Sequence, residues 1–243
     1  MRQRVKPSKP LGRTAYGSIP HLPGSRRGPA DHGVNEGQAA ICTQRVRDSR
    51  DVVIVQEKLD GSCTAVAMVN GEIVALGRAG YPARTSPYEQ HILFADWVQA
   101  NEARFRRVLR EGERLCGEWL AQAHGTIYDL RHFEPWAVFD LMVGNERKTY
   151  SQMCVAIGHE FMRPRLLSHG PPVTVEDALM FLDRSHWPCD EVEGVVYRVE
   201  RDGKVDFLAK YVRHEKQDGK HLPELSGKPA VWNWRPSLKE GEA

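Results

Sequence analysis

The order of periodic segments along the chain predicts an α+β fold, with antiparallel sheets and helices packed outside them. Three observations carry this. Short runs rich in β-branched and aromatic residues recur between Val52 and Val212, separated by stretches of helical periodicity. Two strand pairs are joined by Asn70-Gly71 and Asp202-Gly203, both signals for tight hairpins. At 243 residues and 41% hydrophobic content, the chain can hold one large domain, or one domain with a small appendage.

The elements follow in order. Residues 1–30 are rich in Pro, Gly, Ser and Arg, which is loop chemistry. The first fifty residues carry ten Lys or Arg against three Asp or Glu. This 1–50 segment reads either as a solvated linker or as a phosphate-facing arm, with Arg26 and Arg27 beside Gly24-Ser25 as candidates. Val52-Val53-Ile54-Val55 reads as a buried strand, followed by strands over 63–69 and 72–76. Pro87 opens a helix predicted over about 88–110, with Leu93, Phe94, Trp97, Val98, Phe105, Val108 and Leu109 at three-to-four spacing. Arg104, Arg106, Arg107 and Arg110 load its last turns, as a helix dipole favours, and are also candidates for touching nucleic acid.

Strands are predicted over 114–120 and 136–143, each with an acid, Glu118 or Asp140, inside an apolar run where an unpaired carboxylate is costly. Ser151 is the expected cap of a helix over 152–160. Thr174 and Asp177 start a helix over about 175–184. The last strand pair covers 193–199 and 205–212. The 214–243 tail, broken by Pro223, Gly227, Pro229 and Pro236, is too short for another domain. Trp97, Trp119, Trp136 and Trp187 read as core.

Composition excludes several classes. A net charge of +2 does not mark a polyanion binder. Cys42, Cys63, Cys116, Cys154 and Cys189 have no CxxC spacing, which suggests neither a zinc site nor a disulfide framework and fits a reducing cytoplasm. Met1-Arg2-Gln3-Arg4-Val5-Lys6-Pro7 lacks the apolar core of a secretory signal, and no apolar run approaches membrane-spanning length.

The chemistry centres on Glu57-Lys58-Leu59-Asp60-Gly61-Ser62. A lysine at a strand end sits directly before a glycine that permits close backbone approach. Held among strands, such a lysine loses hydration, its pKa falls and its amine becomes a nucleophile. The alternative is an exposed lysine in an ordinary strand-turn-strand. Glu118, Asp140 and Glu193, converging with Lys58 and Lys210, would outline a site for a nucleoside triphosphate and a hard divalent cation.

Five ordered motifs resemble the covalent nucleotidyltransferases, which comprise polynucleotide ligases and mRNA capping enzymes. They are Lys58-Leu59-Asp60-Gly61, Gly117-Glu118-Trp119-Leu120, Phe139-Asp140-Leu141, Glu193-Gly194-Val195-Val196-Tyr197-Arg198 and Leu208-Ala209-Lys210-Tyr211-Val212-Arg213. Arg78 and Glu57 add a resemblance to ATP-dependent RNA ligases, and the stretches Tyr16-Gly17-Ser18-Ile19-Pro20-His21-Leu22-Pro23-Gly24-Ser25 and Gly117-Glu118-Trp119-Leu120-Ala121-Gln122-Ala123-His124 resemble their small single-domain bacterial and phage type. The resemblance implies a nucleotidyltransferase (ATP-grasp-like ligase) fold over 51–213, without an OB domain.

It also implies that Lys58 takes AMP from ATP, passes it to an RNA 5′-phosphate, and that a 3′-hydroxyl then displaces it. Glu118 and Glu193 would hold Mg²⁺ or Mn²⁺, Arg78 and Lys210 would meet phosphates, and Phe139 would stack on adenine. Glu57 would help fix the base. Gly61 completes the turn, and Asp60 is left between a ribose contact and a turn-stabilising bond. Arg26, Arg27, Arg104, Arg107 and Arg213 are the candidate RNA contacts. The implied setting is cytoplasmic RNA repair on RNA ends, with an end-healing kinase or phosphatase alongside and no membrane. A DNA ligase, a GTP-dependent capping-type enzyme and an inactive nucleic-acid-binding relative remain alternatives. Two positions depart from the pattern: Leu208 or Val212 replaces a second lysine, with Arg213 a candidate substitute, and Cys63 stands where nick-sealing relatives carry Asn.

Overall fold

A computed structural model describes residues 7–236. Readings that fall on 1–6 and 237–243, including the test for a secretory signal, lie outside the described residues. Along the chain run α1 (Glu36–Thr43), β1 (Asp51–Lys58), β2 (Ser62–Val69), β3 (Glu72–Gly77), α2 (Glu89–Ala100), α3 (Glu102–Val108), β4 (Glu113–Trp119), β5 (Trp136–Val143), β6 (Glu146–Arg147), α4 (Tyr150–Ile157), β7 (Leu166–Gly170), α5 (Val175–Arg184), β8 (Gly194–Arg201), β9 (Lys204–Val212) and α6 (Pro223–Ser226). The expected α+β architecture is present. The strands form two sheets, ordered β7-β1-β8-β9 and β3-β2-β4-β5-β6, with antiparallel ladders throughout. Among the described residues no sheet closes into a barrel.

β1 belongs to the first sheet and β2 to the second, so Leu59-Asp60-Gly61 is the link between the sheets. Lys58 pairs with Gly194 at the end of the first ladder, while Cys63 pairs with Glu118 at the start of the second. Alternation along each strand then assigns the faces. Val66 and Leu115 pack with Phe94, Trp97, Phe105 and the α2–α4 side, the largest core cluster. Ala65, Ala67 and Cys116 face the other way, beneath Ala15 and Tyr16 of the N-terminal segment. In the first sheet, Val53, Val55, Val195 and Val199 pack against Leu22, Cys42 and α5.

Two local expectations need correction, and the tail gains contacts that its sequence did not announce. The single helix over 88–110 is two, because Asn101 leaves helical geometry (φ −109°, ψ 14°) and its Nδ2 donates to the Trp97 carbonyl at 2.9 Å. The helix after β6 is capped by Thr149, not Ser151. The Thr149 hydroxyl accepts from the Gln152 N–H while the Gln152 side chain accepts from the Thr149 N–H, so the helix begins two residues earlier than expected. The tail is not a loose end within the described residues. Ala123 N–H donates to the Val231 carbonyl, and Asn233 and Trp234 N–H both donate to the Ala121 carbonyl.

Candidate active site

The two sheets wall a cleft of about 900 Å³, and Lys58, Arg78, Glu118, Phe139, Glu193 and Lys210 all line it. Each arrives by a different local device. Lys58 is the last residue of β1, and its Nζ donates to Glu193 Oε2 at 2.7 Å. Glu193 precedes β8, where Gly194 is required: a Cβ there would collide with the Tyr211 carbonyl of β9. Glu118 reaches the cleft from β4 and accepts from the Gly61 N–H at 3.1 Å. Gly61 is equally constrained, since a Cβ would strike the Trp119 carbonyl oxygen.

Phe139 is aimed by a β-bulge. Cys116 pairs with Asp140 and Gly117 with Val138, which leaves Phe139 the extra residue on β5. Tyr16 packs edge-on against its ring at 5.0 Å between centroids. The bulge is held by Asp140, which is buried and engaged by the Tyr16 hydroxyl at 2.6 Å, by Arg147 Nε at 3.1 Å and by Arg198. Arg198 also donates to the Phe139 carbonyl. Asp140 therefore shapes the wall rather than standing free beside Lys58. Arg198 is a buried strut.

Burial would push the Lys58 amine down, but Glu193, Glu118 and Asp60 outweigh it and hold its pKa above the ordinary value. This corrects the expectation of a depressed pKa: without a ligand, Lys58 is a cation. Burial raises Glu118 to about 8 and Glu193 to about 7, with Lys58 opposing in both cases. Both carboxylates line the cleft, and carboxylate oxygens are the donors that hard cations take. Among the described residues no three ligating side chains are grouped, so a Mg²⁺-like ion here would complete its shell from phosphate oxygens. Lys210 is shifted down by burial and by Lys58. The N-terminal segment covers its strand: Lys210 N–H donates to the Pro20 carbonyl, and Leu22 N–H to the Lys210 carbonyl.

Of the other predicted residues, Glu57, Asp60, Gly61 and Arg26 also line the cleft, and most are held by partners of their own. The Glu57 carboxylate lies across β1 from Lys58, accepts the Trp187 N–H at 3.1 Å on each oxygen, and is pushed by burial to about 7. Asp60 also lines the cleft, and its Oδ2 accepts from Gly125 N–H at 2.9 Å and Thr126 Oγ1 at 3.2 Å and lies 3.2 Å from Lys216 Nζ. Of the candidate RNA contacts, Arg26 lines the cleft and pairs with Asp218 at 2.9 Å. Arg27 donates to the Leu22 carbonyl at 3.3 Å. Arg104 is locked between Glu134 and Glu160 over the Phe161 ring, Arg107 pairs with Glu160, and Arg213 with Asp183. Neither of the α3 arginines nor Arg213 lines the cleft.

Sequence reasoning missed two groups. Lys216, fully buried, donates to the Gly125 carbonyl at 2.7 Å and to Thr126. Nothing distinguishes it among the polar residues of the tail. The second is a polar chain from Ser86 through His91 (2.7 Å) to Ser62 (3.2 Å), and on through Gln90 (2.9 Å) to His124 (3.1 Å). Burial keeps both imidazoles below their usual pKa. The position of Ser62 beside Lys58-Leu59-Asp60-Gly61 and the place of His124 at the end of the Gly117–His124 stretch hinted at it.

Among solved structures the chain is similar to an archaeal ATP-dependent RNA ligase in two forms and to a Naegleria gruberi RNA ligase mutant with ATP and Mn. Identities are 22%, 20% and 16%, with TM-scores of 0.47, 0.48 and 0.48. These matches cover 67%, 80% and 80% of this chain, but the chain spans only 43%, 48% and 59% of theirs. No curated protein matches it. The model of the RNA ligase family matches residues 51–212, from the first residue of β1 to the last of β9, and so the chain belongs to the RNA ligase family.

Proposed function

We propose that this chain is an ATP-dependent RNA ligase that seals a 3′-hydroxyl to a 5′-phosphate through a lysyl-AMP intermediate. The observation that carries the reading is the meeting of Lys58, Glu193, Glu118, Phe139, Arg78 and Lys210 in one cleft of a family member. Lys58 Nζ attacks the α-phosphorus of ATP, an N–P bond forms, and pyrophosphate leaves. Before attack the amine gives up a proton to water, and Glu193 Oε2, its partner at 2.7 Å, orients it. Phe139 stacks on adenine, and Arg78 and Lys210 balance phosphate charge. Glu118 and Glu193 are the residues that would hold a divalent cation, which when bound neutralises phosphate charge and assists the leaving group. AMP then passes to a 5′-phosphate and is finally displaced by a 3′-hydroxyl.

Substrate ends must carry 5′-phosphate and 3′-hydroxyl, so an end-healing kinase or phosphatase is the expected companion where breaks leave other chemistry. Five free cysteines suit a reducing cytoplasm, and no helix among the described residues is long and apolar enough to cross a membrane. The basic N-terminal segment and the tail belong to the working unit with 51–213, through the contacts of Pro20 and Leu22 with Lys210 and of Lys216 with Asp60.

Incubation with α-labelled ATP or GTP and Mg²⁺ or Mn²⁺ tests the reading. A labelled protein is expected with ATP, absent in Lys58→Ala, followed by sealing of nicked or single-stranded RNA in preference to nicked DNA. A GTP-only adduct, no adduct under any condition, or an undiminished adduct in Lys58→Ala would overturn it.

A further inference from the structure

We propose that Tyr81 and Tyr88 form a stacking platform for unpaired bases of an RNA strand at the mouth of the cleft. This deepens the ligase reading and rests on it for the choice of RNA. Both tyrosines line the same cleft as Lys58, yet remain 43% and 47% exposed. Large aromatic side chains left half in water beside a cleft serve better as contact surface than as core. They also lie apart from the ring that suits adenine, since Phe139 is half-buried against Tyr16 on the second sheet.

Charge says what the platform would receive. From Ile73 to Tyr88 the chain carries Arg78 and Arg84 and no acid. Lys9 Nζ sits 5.0 Å from the Tyr81 ring centroid. Arg84 is paired with Asp96 at 2.7 Å and Arg78 serves the nucleotide phosphates, which leaves Lys9 as the cation beside the ring for a phosphate backbone. Aromatic rings interleaved with cations are the chemistry that holds single strands. Stacking tolerates any base, and the cations follow the backbone.

The platform is also fixed in place. Gly77 N–H donates to the Tyr81 carbonyl at 3.0 Å, and Ala15 N–H to the Arg78 carbonyl at 3.0 Å. Gly80 adopts φ +89° against the Arg13 carbonyl, a conformation and an approach that only glycine permits. Tyr88 N–H donates to Ser86 Oγ, and the Ser86–His91–Ser62 chain ties that loop to the turn after Lys58. Tyr88 lies edge-on to His91 at 5.8 Å. A platform held in this way loses little freedom on binding and keeps its register to the nucleophile.

The test measures fluorescence anisotropy of labelled single-stranded oligouridylate, without ATP, on the full chain. The Tyr81→Ala, Tyr88→Ala double variant is expected to bind at least about tenfold more weakly, in line with about 1–3 kcal/mol per stacked base. The double Phe variant, which keeps both rings, should bind as the parent does. Melting temperatures should match, since both side chains are exposed. Binding unchanged within about twofold, a loss that Phe fails to restore, or tighter binding of a nicked duplex with the same dependence would each overturn the proposal. Wild-type labelling by ATP reads the parent hypothesis separately. Tyrosine-dependent RNA binding without any adduct would sink the ligase reading and spare the platform, and an adduct with tyrosine-independent binding would do the reverse.

Discussion

Lys58 rests as a cation because carboxylates outweigh its own burial, and the same burial stores protons on acids around it. Glu57 gives a clean test, being engaged by Trp187 and outside the proposed cation site. Its pKa rises from the ordinary 4.5 to about 7 on folding. The folded state therefore binds more protons between these values, and stability falls as pH rises through that window. The difference amounts to about 3 kcal/mol. Urea unfolding at pH 5 and pH 7.5 should show Glu57→Gln with a flatter pH dependence than the parent. An identical dependence would remove Glu57 as its source. Gly194 offers a steric counterpart: Gly194→Ala forces a Cβ onto the Tyr211 carbonyl and should cost about 1–3 kcal/mol. It should also shift Glu193 away from Lys58, so labelling by ATP is expected to fall further than stability does.

At the level of elements, Asp60, the 124–126 loop and the tail act as one clamp. Lys216→Met leaves Asp60 without its cation, and removing one partner of a buried pair costs about 3–5 kcal/mol. The double change with Asp60→Asn should recover part of that loss, as a coupled pair requires. Additive losses in thermal unfolding would show the two residues to be independent. The strands were legible in the sequence because their cues are local: β-branched runs bounded by Asn70-Gly71 and Asp202-Gly203 mark their own ends. The failures had causes at a distance or within a single hydrogen bond. Asn101 breaks a helix that its neighbours favour. Thr149 outcompetes Ser151 because Gln152 returns its bond. Arg104 looked free for nucleic acid, whereas its carboxylate partners, Glu134 and Glu160, lie 30 and 56 positions away, beyond any periodic pattern. The short edge strand β7 and the burial of Lys216 left no such pattern either. In the cleft, ordered motifs marked Lys58, Glu118, Phe139, Glu193 and Lys210, while the roles of Asp60 and Glu57 needed the fold, because side-chain direction decides them.

For the whole molecule, ligand binding should register as stability. Nucleotide held by both sheets favours the folded state by about 2.7 kcal/mol when present at a hundredfold over its Kd. ATP with Mg²⁺ is expected to raise the melting temperature, and EDTA to remove most of that rise. A rise indifferent to EDTA would argue that Glu118 and Glu193 hold no cation. The first sheet and its approach supply Lys58, Glu193 and Lys210, while the second supplies Glu118 and Phe139. Between them runs a connector of three residues, which spans at most about 10 Å. Along that connector the walls cannot drift apart, and a second rivet, Arg198 of the first sheet on Asp140 of the second, fixes them again behind Phe139. A cleft riveted at two points meets its ligand with its width already set, so little of the binding energy goes into closing it.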